Sequence, residues 1–535
     1  MSPFRRVLTN ALVLCFATAA LGASAVRAQF YDPALRTLDL VSDVARSPRL
    51  LGMGGLSLVV PDRDNHLTLW DFAGSPLGAF GEDSVGTMEL RPSTGSASGQ
   101  HDLPLGLGPR QDLAGRMTSA GFEAFYRDHK GSAFGAVGAV SALRRDTPYS
   151  DGVEMRRSVS VPEVMPIFNG IFPHWGGGKL RYALRMRFGA ERVVDQYRTY
   201  VQRANGQYIS LDGEILTSPY VLSPDEYKVS TSGIGGGLSY PLGKSHVLAL
   251  GMDSYRNRIS GQNNEDRYYA ERHENRPYTV GQASLVGRLS PSVQYGIDGR
   301  GWKSNSEESW YFSLSGGTGA LPLTGRGKLL EREEEGSSLR SRVRITSGRL
   351  EIGGDFWTKA SKVTITPPAG SDRTSFNRFV SLNETVTAWA AGDTVVANEI
   401  RDYAWGYGAG ASLQLKRGIV GAEWHWGRDL YNQSIAGEGP KGIQWDLRTG
   451  LEYQCSPIVT GRVGYGYRWW DQDDFTSLNE FKGHSTSVGL GVHPPKTSWN
   501  FEAGWTIGWH QSDYGDPTTE RGTRQLLASQ LNWNF

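Results

Sequence analysis

Long stretches of this chain alternate apolar and polar residues with a period of two. In "KLRYALRMRF" (179–188), Leu180, Tyr182, Leu184, Met186 and Phe188 share one parity, and Lys179, Arg181, Arg185 and Arg187 share the other. "GIQWDLRTGLEYQC" (442–455) sets Ile443, Trp445, Leu447, Leu451 and Tyr453 against Gln444, Asp446, Arg448, Glu452 and Gln454. "SWNFEAGWTIGWH" (498–510) sets Trp499, Phe501, Trp505, Ile507 and Trp509 against Asn500, Glu502, Thr506 and His510. The chain ends the same way, with Leu527, Leu531, Trp533 and Phe535 opposed to Gln530, Asn532 and Asn534. Successive strand side chains point to opposite faces, so each stretch predicts a strand with one apolar face. Segments of this length, separated by turn residues, are the signature of a transmembrane β-barrel. A soluble sandwich also alternates, but it does not call for so many aromatic residues on the apolar face. From Trp499 to Trp509, ten residues at about 3.3 Å and a tilt of about 40° rise roughly 25 Å, the height of a barrel's apolar band.

The links between these strands alternate in length. Counting back from the C-terminus, 511–522 is long, "HPPKT" (493–497) short, 471–483 long, "SP" (456–457) short, 431–442 long and "KRG" (416–418) short. Further upstream, "TSGR" (346–349) and "PLGKSH" (241–246) read as short turns, and 257–277 and 359–399 as long loops. The region 303–338, which carries the charged run "LEREEEGSS", reads either as an extra hairpin or as a long loop. Outer-membrane barrels have short periplasmic turns, long outer loops and both ends in the periplasm. The expectation is an all-β fold, a closed antiparallel transmembrane β-barrel with an even count of roughly 16 to 20 strands, embedded in outer-membrane lipid.

The first residues fix the compartment. Arg5 and Arg6 precede an apolar run from Val7 to about Gly22, and Val26 and Ala28 fit a secretory cleavage site, so residues 1–28 are read as a signal peptide. Removing its three Arg leaves 53 basic residues against 55 acidic ones, and this balance gives no reason to expect a nucleic-acid partner. Cys455 is then the one cysteine left, so no disulfide framework forms. Mean hydropathy is −0.41 and no later run is long and apolar enough for a spanning helix.

Candidate chemistry is sparse. Glu423 and His425 share a polar face, with Arg448 and Glu452 placed for the neighbouring strand, which would suit an acid–base pair. Barrel lumens ordinarily hold such charges, and no nucleophile stands beside a base, so no enzyme is expected. "DRDN" (62–65) and "DQDD" (471–474) lack the glycine and distal Glu of a calcium loop, and neither a metal nor a cofactor is expected. Lys179, Arg181, Arg185 and Arg187, and Arg340, Arg342 and Arg344, would line the polar interior with Glu423, His425, Arg448 and Glu452. Those cations would either favour anionic solutes or neutralise lumen carboxylates such as Glu351, Asp355 and Glu502.

Two resemblances add expectations. The closing Leu531, Trp533 and Phe535 resemble the C-terminal signature by which bacterial outer-membrane proteins are recognised for insertion, which implies the barrel-assembly machinery as a partner. Residues 49–79, "RLLGMGGLSLVVPDRDNHLTLWDFAGSPLGA", resemble the N-terminal motif of the family of long-chain fatty-acid transporters and their outer-membrane relatives. Leu51 to Gly55 match its start and Asp62 to Asn65 its turn; Pro76 and Gly78 are kept where Ser75 replaces Asn. The resemblance implies a barrel of about 14 strands and an N-terminal plug. The plug would comprise residues 29–80, with Gly52, Gly54, Gly55, Asp62, Asp64 and Pro76 in it, and the barrel residues 81–535. Independently, the three glycines allow close backbone approach and positive φ; a plain N-terminal turn is the competing reading. The function expected is an outer-membrane transport barrel for hydrophobic or amphipathic small molecules, the solute itself being unknown. The alternative is a structural or assembly barrel with a plugged lumen and protein partners.

Overall fold

The computed structural model describes residues 47–60, 87–102, 115–127, 133–150, 153–172, 180–199, 201–202, 208–209, 215–216, 225–243, 245–265, 268–314, 323–366, 398–433, 437–473, 478–513 and 519–534. Among the described residues, helix α1 (Pro48–Gly52) comes first, followed by β1 (Thr87–Asp102), β2 (Gly115–Arg127), β3 (Ala133–Ser150), β4 (Val153–Ile171) and β5 (Arg181–Thr199). Three two-residue strands, β6 (Val201–Gln202), β7 (Tyr208–Ile209) and β8 (Ile215–Leu216), make a small separate sheet. Next come β9 (Asp225–Leu242), β10 (His246–Glu265), β11 (Tyr268–Ser290), β12 (Val293–Leu314), β13 (Leu323–Ser347) and β14 (Leu350–Thr366). The last are β15 (Asn398–Leu415), β16 (Gly418–Gln433), β17 (Gly437–Gln454), β18 (Val459–Asp473), β19 (Leu478–Val492), β20 (Trp499–Asp513) and β21 (Thr519–Asn534).

Apart from β6–β8, every strand belongs to one 18-stranded sheet. Each pairs antiparallel with the next in the chain, β5 pairing with β9. The last strand returns to the first, with Met88 opposite Trp533 and Leu90 opposite Leu531. Every long strand therefore has two neighbours, and the described sheet presents no free edge. Eighteen strands lie within the range read from the alternation, whereas the 14 implied by the family resemblance is too few.

The two faces differ in chemistry. On β15, Tyr403, Trp405 and Tyr407 are exposed while Ala404, Gly406 and Gly408 between them are buried. On β5, Leu184, Met186 and Phe188 point outward, and Ala183, Arg185 and Arg187 lie on the other face. Outward aromatic residues gather at two levels. Trp499 stands opposite Trp533 near the short turns, and Trp426, Trp445 and Trp469 face one another in register eight to ten residues higher. So large an exposed apolar surface is foreign to a monomeric protein in water.

Short turns fall at 348–349, 416–417 and 455–458, and β9 ends at Leu242 just before β10 begins at His246, where the sequence placed the turns. The long links are shorter than the sequence suggested. Strands β10 and β11 continue to Glu265 and from Tyr268, so most of 257–277 is strand. Region 303–338 is neither an extra hairpin nor a long loop, because β12 and β13 stay paired out to Leu314 opposite Leu323. Above the apolar level both faces of a strand are polar, and the period-two signal disappears although the ladder continues.

Candidate functional site

Residues 47–60 lie against the inward-facing side chains of β14–β21. The Ser47 hydroxyl accepts from the Leu50 N–H at 3.3 Å and Pro48 opens the turn, which starts α1 as an N-cap followed by proline does elsewhere. Gly54 and Gly55 then take φ of +71° and +85°, and the chain turns away from the helix. Leu50, Met53, Leu56, Leu58, Val59 and Val60 form a buried apolar cluster with Ile419 of β16, while Leu51 packs on Leu526 and Ala528 of β21.

The wall beneath this segment is made of glycine. A Cβ on Gly464 would come within 2.0 Å of the Gly54 nitrogen, one on Gly450 within 2.3 Å of the Met53 carbonyl oxygen, and one on Gly504 within 2.3 Å of the Pro48 carbonyl oxygen. Gly52 and Gly489 meet each other, since a Cβ on Gly52 would lie 2.7 Å from the Gly489 Cα. Inward glycines thus set the depth at which the segment sits.

Polar side chains fix it laterally. The carboxylate of Glu423, fully buried, accepts the backbone N–H groups of Ser57 (3.1 Å), Leu58 and Val59 (2.9 Å). The Ser412 hydroxyl donates to the Val59 carbonyl at 2.9 Å, Arg448 to that of Gly55 at 3.1 Å, and Arg344 to that of Leu58 at 3.3 Å. At the other end, Arg49 grips Glu452 with two bonds of 2.7 and 2.8 Å. Glu452 also accepts from Arg462 Nε at 2.7 Å, and Arg462 in turn pairs with Glu502. Among the described residues, 47–60 joins no strand ladder, so side chains supply the partners for this buried backbone.

Further inward charges continue from these anchors. His425 Nε2 is 3.3 Å from Glu423, and its Nδ1 is 3.7 Å from Asp355. Arg340 reaches Asp355 at 3.0 Å and Arg342 at 3.9 Å, while Asp446 lies between Arg448 (3.1 Å) and Arg468 (2.9 Å). The wall of β5 and β9–β13 has a different character. There Arg185 Nε binds Asp253 at 2.7 Å, and the Arg187 guanidinium sits 5.4 Å from the centre of the Tyr255 ring. Tyr255 stacks on Tyr278 at 4.9 Å, and Glu334 accepts from the Tyr278 hydroxyl at 2.7 Å and from the Trp302 indole at 3.2 Å.

The sequence-derived candidates therefore separate into groups. Glu423, Arg448, Arg344 and Glu452 hold the interior segment, and His425, Arg340 and Arg342 stand behind them around Asp355. Arg181, Arg185 and Arg187 lie on the opposite wall, on the inward parity of β5. Gly52, Gly54 and Gly55 are in the segment itself, and Leu531 and Trp533 are outward-facing on β21. Lys179, Asp62, Asp64, Pro76 and Phe535 lie outside the described residues. Sequence reasoning missed Arg49, Ser412 and Arg462, together with the glycines that form the floor. Glycine recurring on the inward parity of successive strands, as at 353, 410, 421, 450, 464, 489 and 504, is the signal that would have marked the floor.

The sequence matches no protein-family model and no curated protein. Among solved structures the chain is similar to a TodX deltaS2S3 mutant, a monoaromatic hydrocarbon channel, with a TM-score of 0.41 and 11% identity over 91% of this chain and 99% of that one. It is also similar to the ferric citrate transporter FecA, with a TM-score of 0.40 and 10% identity over 84% and 78% of the two chains. A third is a Pseudomonas aeruginosa FadL homologue, with a TM-score of 0.31 and 10% identity over 91% and 98%. Scores and identities this low leave the function to be argued from the site itself.

Proposed function

We propose that this chain is an outer-membrane β-barrel, with both termini in the periplasm, that passes small amphipathic molecules and is gated by its own N-terminal segment. It acts as a conduit and catalyses no reaction. The plug proposed is residues 29–80, of which 47–60 are seated on the wall and the rest lie outside the described residues. The observation that carries this reading is how the seat is made. A buried backbone segment is held by side chains of Glu423, Arg448, Ser412 and Arg344 and shares no ladder with the sheet, so it can leave without breaking the barrel. The outward apolar face supports a lipid surrounding. The wall opposite the plug supports the solute class, because Tyr255, backed by the buried Tyr278, and Trp302 stand on the inward face beside Arg187 and Glu334. The C-terminal strand is the element offered to the assembly machinery.

Liposome swelling with sugars, amino acids and short aromatic acids tests the proposal. Wild type should pass little, and a Glu423→Gln/Glu452→Gln double variant should pass aromatic acids measurably faster. Equal and negligible uptake by both proteins, with the plug shown to be released, would favour a structural barrel.

A further inference from the structure

The outward face of β5 and β9–β12 changes character abruptly above its apolar level. On β9 and β10 the exposed residues are Tyr240, Leu238 and Ile234, and Leu250 and Met252, the last two 54% and 59% exposed. Higher on the same face stand Arg256 and Arg258 of β10, Lys228 of β9 and Arg192 of β5. The register places them side by side. Arg192 is opposite Lys228, Lys228 is opposite Ser260, and Arg258 is opposite Ser230 and Asn275. Around them the surface is concave, about 800 Å³, with Ala190, Ser230 and Ser260 contributing short side chains and Arg192, Lys228 and Arg258 long basic ones. His273 and Glu307 complete the far side, and Glu271 lies 3.4 Å from the His273 ring.

Height identifies what this hollow meets. Tyr240, opposite Leu248, belongs to the aromatic level near the short turns. Arg258 is ten residues further along β10, which at about 3.3 Å per residue and a tilt of about 40° is roughly 25 Å. That is the height of the hydrocarbon band, so the cations stand where the headgroups of the far leaflet begin. Along the lining, the cations Arg192, Lys228 and Arg258 outnumber the carboxylates Glu274 and Glu307, and Glu274 faces inward to its own partner Arg276. A concavity of this size fits a sugar-sized group, and its serine hydroxyls and guanidinium groups match phosphate oxygens.

We propose that this outward-facing hollow binds the phosphorylated sugar headgroup of an outer-leaflet glycolipid. The inference rests on the membrane-barrel reading. Arg192 and Arg258 clasp the phosphate from two sides, Lys228 adds a point charge, and the acyl chains run down over Phe188, Ile234 and Met252. A lipid held there would also tie β5 to β9 across the segment that contains β6–β8.

Native mass spectrometry and thermal unfolding of the full chain in phosphatidylcholine vesicles test it. The vesicles carry diphosphorylated lipid A, the same lipid dephosphorylated, or inorganic phosphate alone. The wild type should retain diphosphorylated lipid A and unfold at a higher temperature with it, and should respond to neither of the others. Each cation near an anionic headgroup is worth about a factor of five, so an Arg192→Gln/Lys228→Gln/Arg258→Gln variant should bind about 100-fold more weakly. Ser230→Glu, which adds a carboxylate and removes no cation, should weaken binding in the same direction. Equal retention by wild type and both variants, or an equal response to inorganic phosphate, would overturn the glycolipid site while leaving the barrel intact. Failure of wild type to embed in plain phosphatidylcholine would overturn the membrane reading itself, and this site with it.

Discussion

Replacing Glu423 by Gln removes the charge and one of the two acceptor oxygens that three successive backbone amides share. The carboxylate is wholly buried and takes the N–H groups of Ser57, Leu58 and Val59 on its two oxygens. Gln keeps one acceptor oxygen and places an N–H₂ group where the second oxygen stood, so a donor then faces a donor. A buried donor left unmet costs about 1–3 kcal/mol, and bonds to a charged acceptor are stronger than bonds to a neutral one. The remaining anchors of this stretch, Ser412, Arg448 and Arg344, touch carbonyls and do not compensate. Release of residues 57–59 should therefore become easier by about 3 kcal/mol, roughly 100-fold in the population of the open form. Hydrogen exchange of the vesicle-embedded protein reads this directly. Amides in a peptide covering 56–60 should exchange about 100-fold faster in the variant, and amides of β16 away from Glu423 should keep the wild-type rate. Unchanged exchange at 57–59 would refute the idea that this carboxylate holds the segment. A uniform increase along β16 would show that it stabilises the wall instead.

Gly464→Ala should unseat the same segment by a different route, since its Cβ would fall 2.0 Å from the Gly54 nitrogen; faster exchange of 52–56 with normal heat-modifiability on gels is the expected result. Leu184→Arg places a cation on the outward face among Met186 and Phe188 and should cost about 2–4 kcal/mol in guanidinium unfolding from vesicles. A cost below about 1 kcal/mol would mean that this face does not meet lipid. Deleting Phe535 should lower the fraction of heat-modifiable protein in the outer membrane while secretion continues, and normal assembly would remove the terminal aromatic from any role in insertion.

Much of the wall was legible from sequence because the alternation is local. Each of Leu184, Trp405 and Trp505 announces its face through its immediate neighbours, and glycine, proline and charge mark the short turns. The long links were misjudged for a related reason. Beyond Arg258 on β10, or from Glu331 to Glu335 on β13, polar residues occupy both faces and the pattern falls silent while pairing continues. The Leu-Gly-Met-Gly-Gly run drew attention to residues 51–55, but no local feature ties Ser57 to Glu423 or Arg49 to Glu452. Those contacts span hundreds of residues and exist only after β16–β18 have taken their register. From sequence, Arg340 and Arg342 share one parity and Asp355 is among the carboxylates they could neutralise, but only the register places Asp355 opposite Arg342 and within 3.0 Å of Arg340.

The proposed function and the glycolipid site both require that this sheet cross a bilayer with its aromatic face in lipid. Spin labels placed singly at positions 183–190 of β5, in a Cys455→Ser background folded into vesicles, test that most directly. Labels at 184, 186, 188 and 190 should be relaxed strongly by oxygen and weakly by a water-soluble nickel chelate. Those at 183, 185, 187 and 189 should show the opposite or little response to either. Equal accessibility to the nickel chelate along the whole strand would contradict the membrane barrel.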